Sequence, residues 1–240
     1  MKLHEHFFGE IKELNIDFKK PLKGRLHYFY HSPSSKLPIR DAGREKTDHV
    51  TEPHIEVEAE GFIAPCKYPN IKHFIENDDE GYLFFITTCR NKDLEEYYNN
   101  QYIVGYMKKE KILPRKGPYK RYSEWNCVIG EMKFYRFEDA ILVNDTSSKE
   151  GLFHKKFSQT SNGGKCLSFN KEEDIVLSLA QTKKILNHFK KERIINEEWI
   201  KEIEKKDRDG RETCLLGDGE DCIFKEKCPR WNTIKRFLKK

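Results

Sequence analysis

The sequence predicts an α+β fold, and three features carry that expectation. Strand-length apolar runs dominate the first 150 residues, the long helix-period stripes begin only near residue 170, and the two patterns do not alternate regularly. Strands first and helices second argue for a sheet with flanking helices rather than for repeated βαβ units.

The elements follow in order. Residues 24–31, Gly-Arg-Leu-His-Tyr-Phe-Tyr-His, form an aromatic-rich strand. Pro33, Pro38, Gly43 and Pro53 punctuate 32–53, which reads as a long loop. Along 54–63, Ile55, Val57 and Ala59 alternate with Glu56, Glu58 and Glu60, the period of one half-buried strand. Asn70 to Glu76 is a short helix with Ile71, Phe74 and Ile75 on one side. An acidic turn (Glu76, Asp78, Asp79, Glu80) leads into 81–88, Gly-Tyr-Leu-Phe-Phe-Ile-Thr-Thr, whose unbroken apolar character marks a central strand. Residues 93–99 allow a helical turn, and strands are expected at 101–112, 125–136 and 140–143.

Beyond residue 150 the period changes. Asn170 and Glu173 have capping-box spacing and open a helix to Lys191, with Ile175, Val176, Leu179, Leu186 and Phe189 as its stripe. A second helix over 197–206 carries Trp199, Ile200 and Ile203, and Asp207-Arg-Asp-Gly210 stops it. A last helix turns Trp231, Ile234 and Leu238 inward. The domain expectation is a main unit over 1–192 and a helical, cysteine-bearing segment over 193–240.

Composition bounds the function. The chain has 240 residues, 45 Lys plus Arg against 40 Asp plus Glu, and 12% aromatic residues. That aromatic share fills a core and excludes a disordered chain. No apolar run reaches the roughly 20 residues that span a bilayer, so no membrane partner is expected. The polar start, Met1-Lys-Leu-His-Glu-His6, has no apolar run behind it, which predicts a cytoplasmic protein without a secretory leader. The net charge of +5 is mild, but the charge is uneven. Lys108, Lys109, Lys111, Arg115, Lys116, Lys120 and Arg121 crowd one segment, and Lys225 to Lys240 forms a second. Aromatics interleave both segments (Tyr106, Tyr119, Tyr122, Trp125; Phe224, Trp231, Phe237), which points to a nucleic-acid partner, DNA or RNA.

Two segments echo each other. Tyr102-Ile-Val-Gly105-Tyr-Met-Lys108 and Cys127-Val-Ile-Gly130-Glu-Met-Lys133 share an apolar triplet, Gly, any residue, Met and Lys. Glycine inside a strand marks a bulge or a sharp bend, as at the corner of a small barrel.

The surrounding order resembles a known family. Asp79-Glu-Gly-Tyr82-Leu-Phe-Phe-Ile86, then Gln101-Tyr-Ile-Val-Gly-Tyr106 with basic residues after it, then Phe134-Tyr-Arg-Phe-Glu-Asp-Ala-Ile-Leu-Val143, is similar to the PUA-like superfamily and its EVE, YTH and ASCH relatives. The resemblance covers roughly 22–190. It implies a small mixed β-barrel flanked by helices, which reads a nucleobase, often a modified one, in an aromatic pocket. The aromatics nearest the matching motif are Tyr82, Phe85, Tyr106 and Trp125, each of which also fits core packing. Lys108, Lys109, Arg115, Lys116, Lys120 and Arg121 are the expected phosphate contacts.

The cysteines supply a second motif. Cys214, Cys222 and Cys228 are spaced C-x7-C-x5-C-P in a charged, glycine-rich stretch with few apolar groups to hold it folded. Three thiolates on a metal would stabilise such a segment. The spacing resembles a degenerate CCCH zinc finger, with Asn232 where the histidine belongs, and more distantly the iron–sulfur staple of RecB-like nucleases. Zinc is the expected cofactor, a 4Fe-4S cluster the alternative, and three reduced thiols the metal-free reading. Cys166 is the expected fourth ligand, with Cys89, Cys127, His154 and His188 as alternatives.

For catalysis the sequence offers one fragment. Glu131-x-Lys133 is half of a PD-(D/E)xK nuclease site, in which a carboxylate holds Mg²⁺ and the lysine orients water. The acid that should precede it is missing, since no Asp lies between Asp93 and Asp139. The expectation is therefore a binding protein, with an iron–sulfur nuclease using Glu131 and Lys133 as the alternative.

Overall fold

The computed structural model describes residues 12–13, 20–39, 54–55, 60–63, 69–113, 127–143, 157–159, 165–167, 176–199 and 201–202. The strands are β1 (Lys12–Glu13), β2 (Lys23–Tyr28), β3 (His54–Ile55), β4 (Glu60–Ile63), β5 (Glu80–Thr88), β6 (Gln101–Leu113), β7 (Cys127–Phe134), β8 (Ile141–Leu142), β9 (Phe157–Gln159), β10 (Lys165–Leu167) and β11 (Val176–Leu177). Helix α1 spans Pro69–Glu76 and α2 spans Leu179–Phe189.

Nine strands form one mixed sheet in the order β11-β2-β5-β6-β7-β4-β3, with β1 and β8 also pairing with β6; β9 and β10 pair apart. β2 runs parallel to β5, and every other pairing is antiparallel. The α+β class is thus observed. The closed barrel is not: the sheet is open, with β11 and β3 at its ends and no pairing between them among the described residues. The reason lies in 54–63. In place of one long strand, His54–Ile55 turns back antiparallel onto Glu60–Ile63, so β3 occupies the free edge of β4 and ends the sheet there.

Alternation along the strands sorts side chains onto two faces. One face packs Leu83, Phe85, Met107, Met132 and Phe134 under Phe74 and Ile75 of α1. The other packs Leu26, Phe84, Ile86, Ile103 and Tyr135 under Ile185 and Phe189 of α2. α2 starts later than its expected capping box at Asn170. Ser178 caps it instead: its side chain accepts from the Gln181 amide, and the Gln181 side chain accepts from the Ser178 amide at 2.9 Å. Val176 is therefore free to pair with Arg25 in the sheet, and the buried stripe of α2 is Thr182, Ile185 and Phe189. Residues 170–175 lie outside the described set.

The sequence echo is a geometric one. β6 and β7 are neighbours, with Met107 directly opposite Met132. About that pair the two strands are related by a local twofold: Tyr106 faces Lys133, and Lys108 faces Glu131. Each glycine fits under the other strand. A Cβ on Gly105 would strike the Lys133 carbonyl oxygen, and one on Gly130 would strike that of Lys108. The glycines permit close approach of two backbones rather than a barrel corner.

The chain after α2 returns to the sheet. Asn196 donates to the Met132 carbonyl at 2.7 Å and accepts from the Phe134 amide at 2.9 Å, as a neighbouring strand would. Trp199 stacks on Phe134 with ring centroids 3.9 Å apart, inside the α1-side core. Residues 195–199, placed by the sequence in a separate segment, therefore pack in the main core. Ile200, Ile203 and the last expected helix lie outside the described residues.

Candidate nucleic-acid interface

α2 closes only part of its face. At the end where β5 begins, Tyr82 and Tyr106 remain half-buried, in company with Lys108, Glu131 and Lys133. Strand register assembles this group. Tyr82 on β5 faces Lys108 on β6, which faces Glu131 on β7; in the next row Tyr106 faces Lys133. The two tyrosine rings meet edge to face, 6.2 Å apart. Tyr82 lies stacked on Phe84, and Tyr106 packs against Tyr135 and Phe189, so the apolar core holds both rings from below. Lys133 Nζ sits 6.0 Å from the Tyr106 ring centre and 2.9 Å from Glu131 Oε1.

Electrostatics tie the group together. Burial pushes the Tyr82 phenol above its ordinary value, and Tyr106 and Glu131 add to the shift. Partial burial works against the Lys133 charge, but its bonds to Glu131 and Tyr106 outweigh that and hold its pKa above the usual value. Tyr135 is raised by burial and by its hydrogen bond with Tyr106. Lys133 thus joins Glu131 and Tyr106, and Tyr82 lies edge-on beside them.

Of the residues expected at the site, Tyr82, Tyr106 and Lys108 come together here. Phe85 and Lys109 do not. Phe85 is fully buried on the opposite face, stacked on Phe134 at 5.0 Å. Lys109 is also fully buried there, with Nζ donating to the Phe74 and Asn77 carbonyls at 2.8 and 2.9 Å. Desolvation lowers its pKa to about 8, although Glu80, Asp78 and Asp79 pull the other way. Trp125, Arg115, Lys116, Lys120 and Arg121 lie outside the described residues.

Glu131 and Lys133, read in sequence as a nuclease fragment, turn out to border the tyrosines. Side-chain parity held the signal. Tyr82 and Phe85 are three residues apart on one strand and so face opposite ways, and Lys109 shares the phase of buried Met107.

Of the expected metal ligands, Cys214, Cys222 and Cys228, with the alternative His154, lie outside the described residues; Cys166 sits on β10 opposite Ser158. Cys89 is a buried core thiol whose pKa burial pushes up, and His188 bonds the Asp139 carbonyl at 2.9 Å. Among the described residues no group of His, Cys, Asp or Glu is arranged to hold a metal ion, and no helix is long and apolar enough to cross a membrane.

No family model, curated protein or solved structure matches this chain.

Proposed function

We propose that this protein binds single-stranded nucleic acid on the sheet face at Tyr82 and Tyr106. The observation that carries the reading is the pairing of two half-open tyrosine rings with Lys108 and Lys133 in adjacent rows of the sheet. Aromatic faces stack bases without regard to sequence, and flanking lysines meet phosphates. The basic residues Arg115, Lys116, Lys120 and Arg121 belong to the connection between β6 and β7, the two strands that carry Tyr106, Lys108, Glu131 and Lys133. In this reading the PUA-like resemblance supplies the kind of partner, a nucleobase. A zinc ion, or alternatively an iron–sulfur cluster, held by Cys214, Cys222, Cys228 and Cys166 staples the C-terminal segment. Fluorescence anisotropy with a labelled single-stranded oligonucleotide tests the reading. Binding at about 50 mM salt that weakens steeply by about 200 mM is expected; no binding at low salt defeats it. Elemental analysis of the purified protein tests the staple.

One register relation favours a second reading, a metal-dependent nuclease. Glu60 on β4 stands directly opposite Glu131. A neighbouring strand thus places a second glutamate at the register position beside Glu131. Mg²⁺- or Mn²⁺-dependent cleavage lost in Glu131→Ala supports this reading; unchanged cleavage in that variant removes the site.

A further inference from the structure

Phosphate binding does not explain Glu131. A carboxylate between Lys108 and Lys133 repels a polyanion, so a surface that only gripped phosphates would be better without it. Its position makes sense against a base edge. Glu131 lies on the row of Tyr82 and Lys108, one strand beyond them, and on the same face as Tyr106 and Lys133. In the proposed complex a base stacked at Tyr82 and Tyr106 turns its edge toward β7. There it meets two side chains two residues apart: a carboxylate that only accepts and an ammonium that only donates. Among the described residues, the ion pair of Glu131 with Lys133 runs through Oε1, leaving Oε2 for an incoming donor.

The four bases answer this pair differently. Adenine and cytosine each set one amino donor beside one ring acceptor, so each gives the carboxylate a single bond and takes one from the ammonium. Uracil and thymine place a single N–H between two carbonyls. Guanine offers two adjacent donors, N1–H and the N2 amino group, with the O6 acceptor next to them. Its donors fit the oxygens of Glu131 and its O6 fits the Lys133 ammonium.

Resting on the nucleic-acid reading above, we propose that the base bound at Tyr82 and Tyr106 is guanine, read on its Watson–Crick edge by Glu131 and Lys133. The strand must then be unpaired at that position, since a duplex hides this edge. A guanine substituted on N1, or carrying two groups on N2, is excluded, whereas one modified at N7 is accepted.

The test uses the full chain and single-stranded oligothymidine 12-mers with one central guanine, hypoxanthine, adenine or cytosine, read by anisotropy at about 50 mM salt. The guanine strand should bind about five- to a hundredfold more tightly than the adenine strand, the range of one good bidentate base contact. Hypoxanthine, which lacks only the N2 amino group, should bind more weakly than guanine. Glu131→Gln should abolish the guanine preference, and Glu138→Gln, an exposed substitution elsewhere, should keep it. Equal binding of all four strands by the unmodified protein overturns the guanine assignment and leaves the nucleic-acid reading standing. Failure to bind any strand overturns both. The hypoxanthine comparison needs no variant, so it decides the point even if Glu131→Gln does not fold.

Discussion

Lys109 closes the end of the helix that carries Phe74: its ammonium donates to the Phe74 carbonyl at 2.8 Å and lies 4.9 Å from the centre of the Phe74 ring. The last carbonyls of a helix have no partner within it, and this lysine, arriving from β6, satisfies one of them along with the Asn77 carbonyl. Lys109→Met keeps the stem but takes the donor from the Phe74 carbonyl, at about 1–3 kcal/mol for a buried group, while the Asn77 carbonyl keeps the Glu80 amide at 3.2 Å. The pH dependence has a definite sign. The unfolded lysine keeps its proton up to about its ordinary 10.5, while the folded one releases it near 8. Between those values the unfolded chain binds more protons, so stability rises with pH, on the order of 1 kcal/mol per unit. Cys89, whose thiol is also raised, opposes this rise from about pH 9, and Tyr82, Tyr102 and Tyr135 add to the opposition once the unfolded tyrosines ionise near pH 10, so the Lys109 contribution is read as the difference between the natural chain and its variant. Urea unfolding between pH 8 and about 9.5 should show the rise in the natural chain and not in Lys109→Met.

A buried ion pair sits beside this cap. Glu80 receives Arg25 Nε at 2.6 Å and its second guanidinium nitrogen at 2.8 Å, and both side chains are almost fully buried. Glu80→Ala leaves the Arg25 charge in the interior without its carboxylate and should cost about 3–5 kcal/mol. An apolar replacement of both partners, Arg25→Met with Glu80→Leu, should recover much of that loss in the urea midpoint.

On the open face, Tyr82→Leu and Tyr106→Leu keep apolar contact with the core and remove the stacking surface. Each should weaken binding of a single strand by about 1–3 kcal/mol. Lys108→Gln should flatten the salt dependence by about one phosphate contact. Anisotropy titrations across a salt series measure both effects; wild-type affinity and slope in all three variants would count against the proposed surface.

Truncation after residue 192 removes Ile195, Asn196 and Trp199 from the α1-side core. The loss of a buried tryptophan alone is worth about 3–5 kcal/mol. The shortened chain should therefore melt well below the full one by circular dichroism, and Asn196→Ala should reproduce part of the shift.

Much of the sheet was legible in sequence because its central strands obey simple rules. The apolar run at 81–88 and the long pattern at 101–112 became β5 and β6 within a residue of the expected bounds. Helix α1 was also found. Pairing partners were harder. Nothing local distinguishes one strand at 54–63 from two short strands folded on each other, since alternation continues through the turn. Capping-box spacing at Asn170 misled because Ser178 and Gln181 offer the same spacing nearer the apolar stripe. For the site, proximity in sequence was a poor guide: Lys108 and Lys109 are neighbours, yet one faces the open surface and the other the core. The pairing of Tyr106 with Lys133 depends on long-range register, which composition does not encode.

The two strand glycines decide something that hydrophobic patterning cannot. A ladder that slips by two residues keeps every side chain on its own face, so burial alone scarcely penalises the error. At β6 and β7 such a slip moves Gly105 and Gly130 away from the Lys133 and Lys108 carbonyls and puts Cβ-bearing residues beneath them. Misaligned hairpins are thereby rejected during folding, twice over and at points related by the local symmetry. Gly130→Ala should accordingly do more than add about 1–3 kcal/mol of overpacking. It should slow refolding and populate a misregistered species, visible as a second phase in stopped-flow traces.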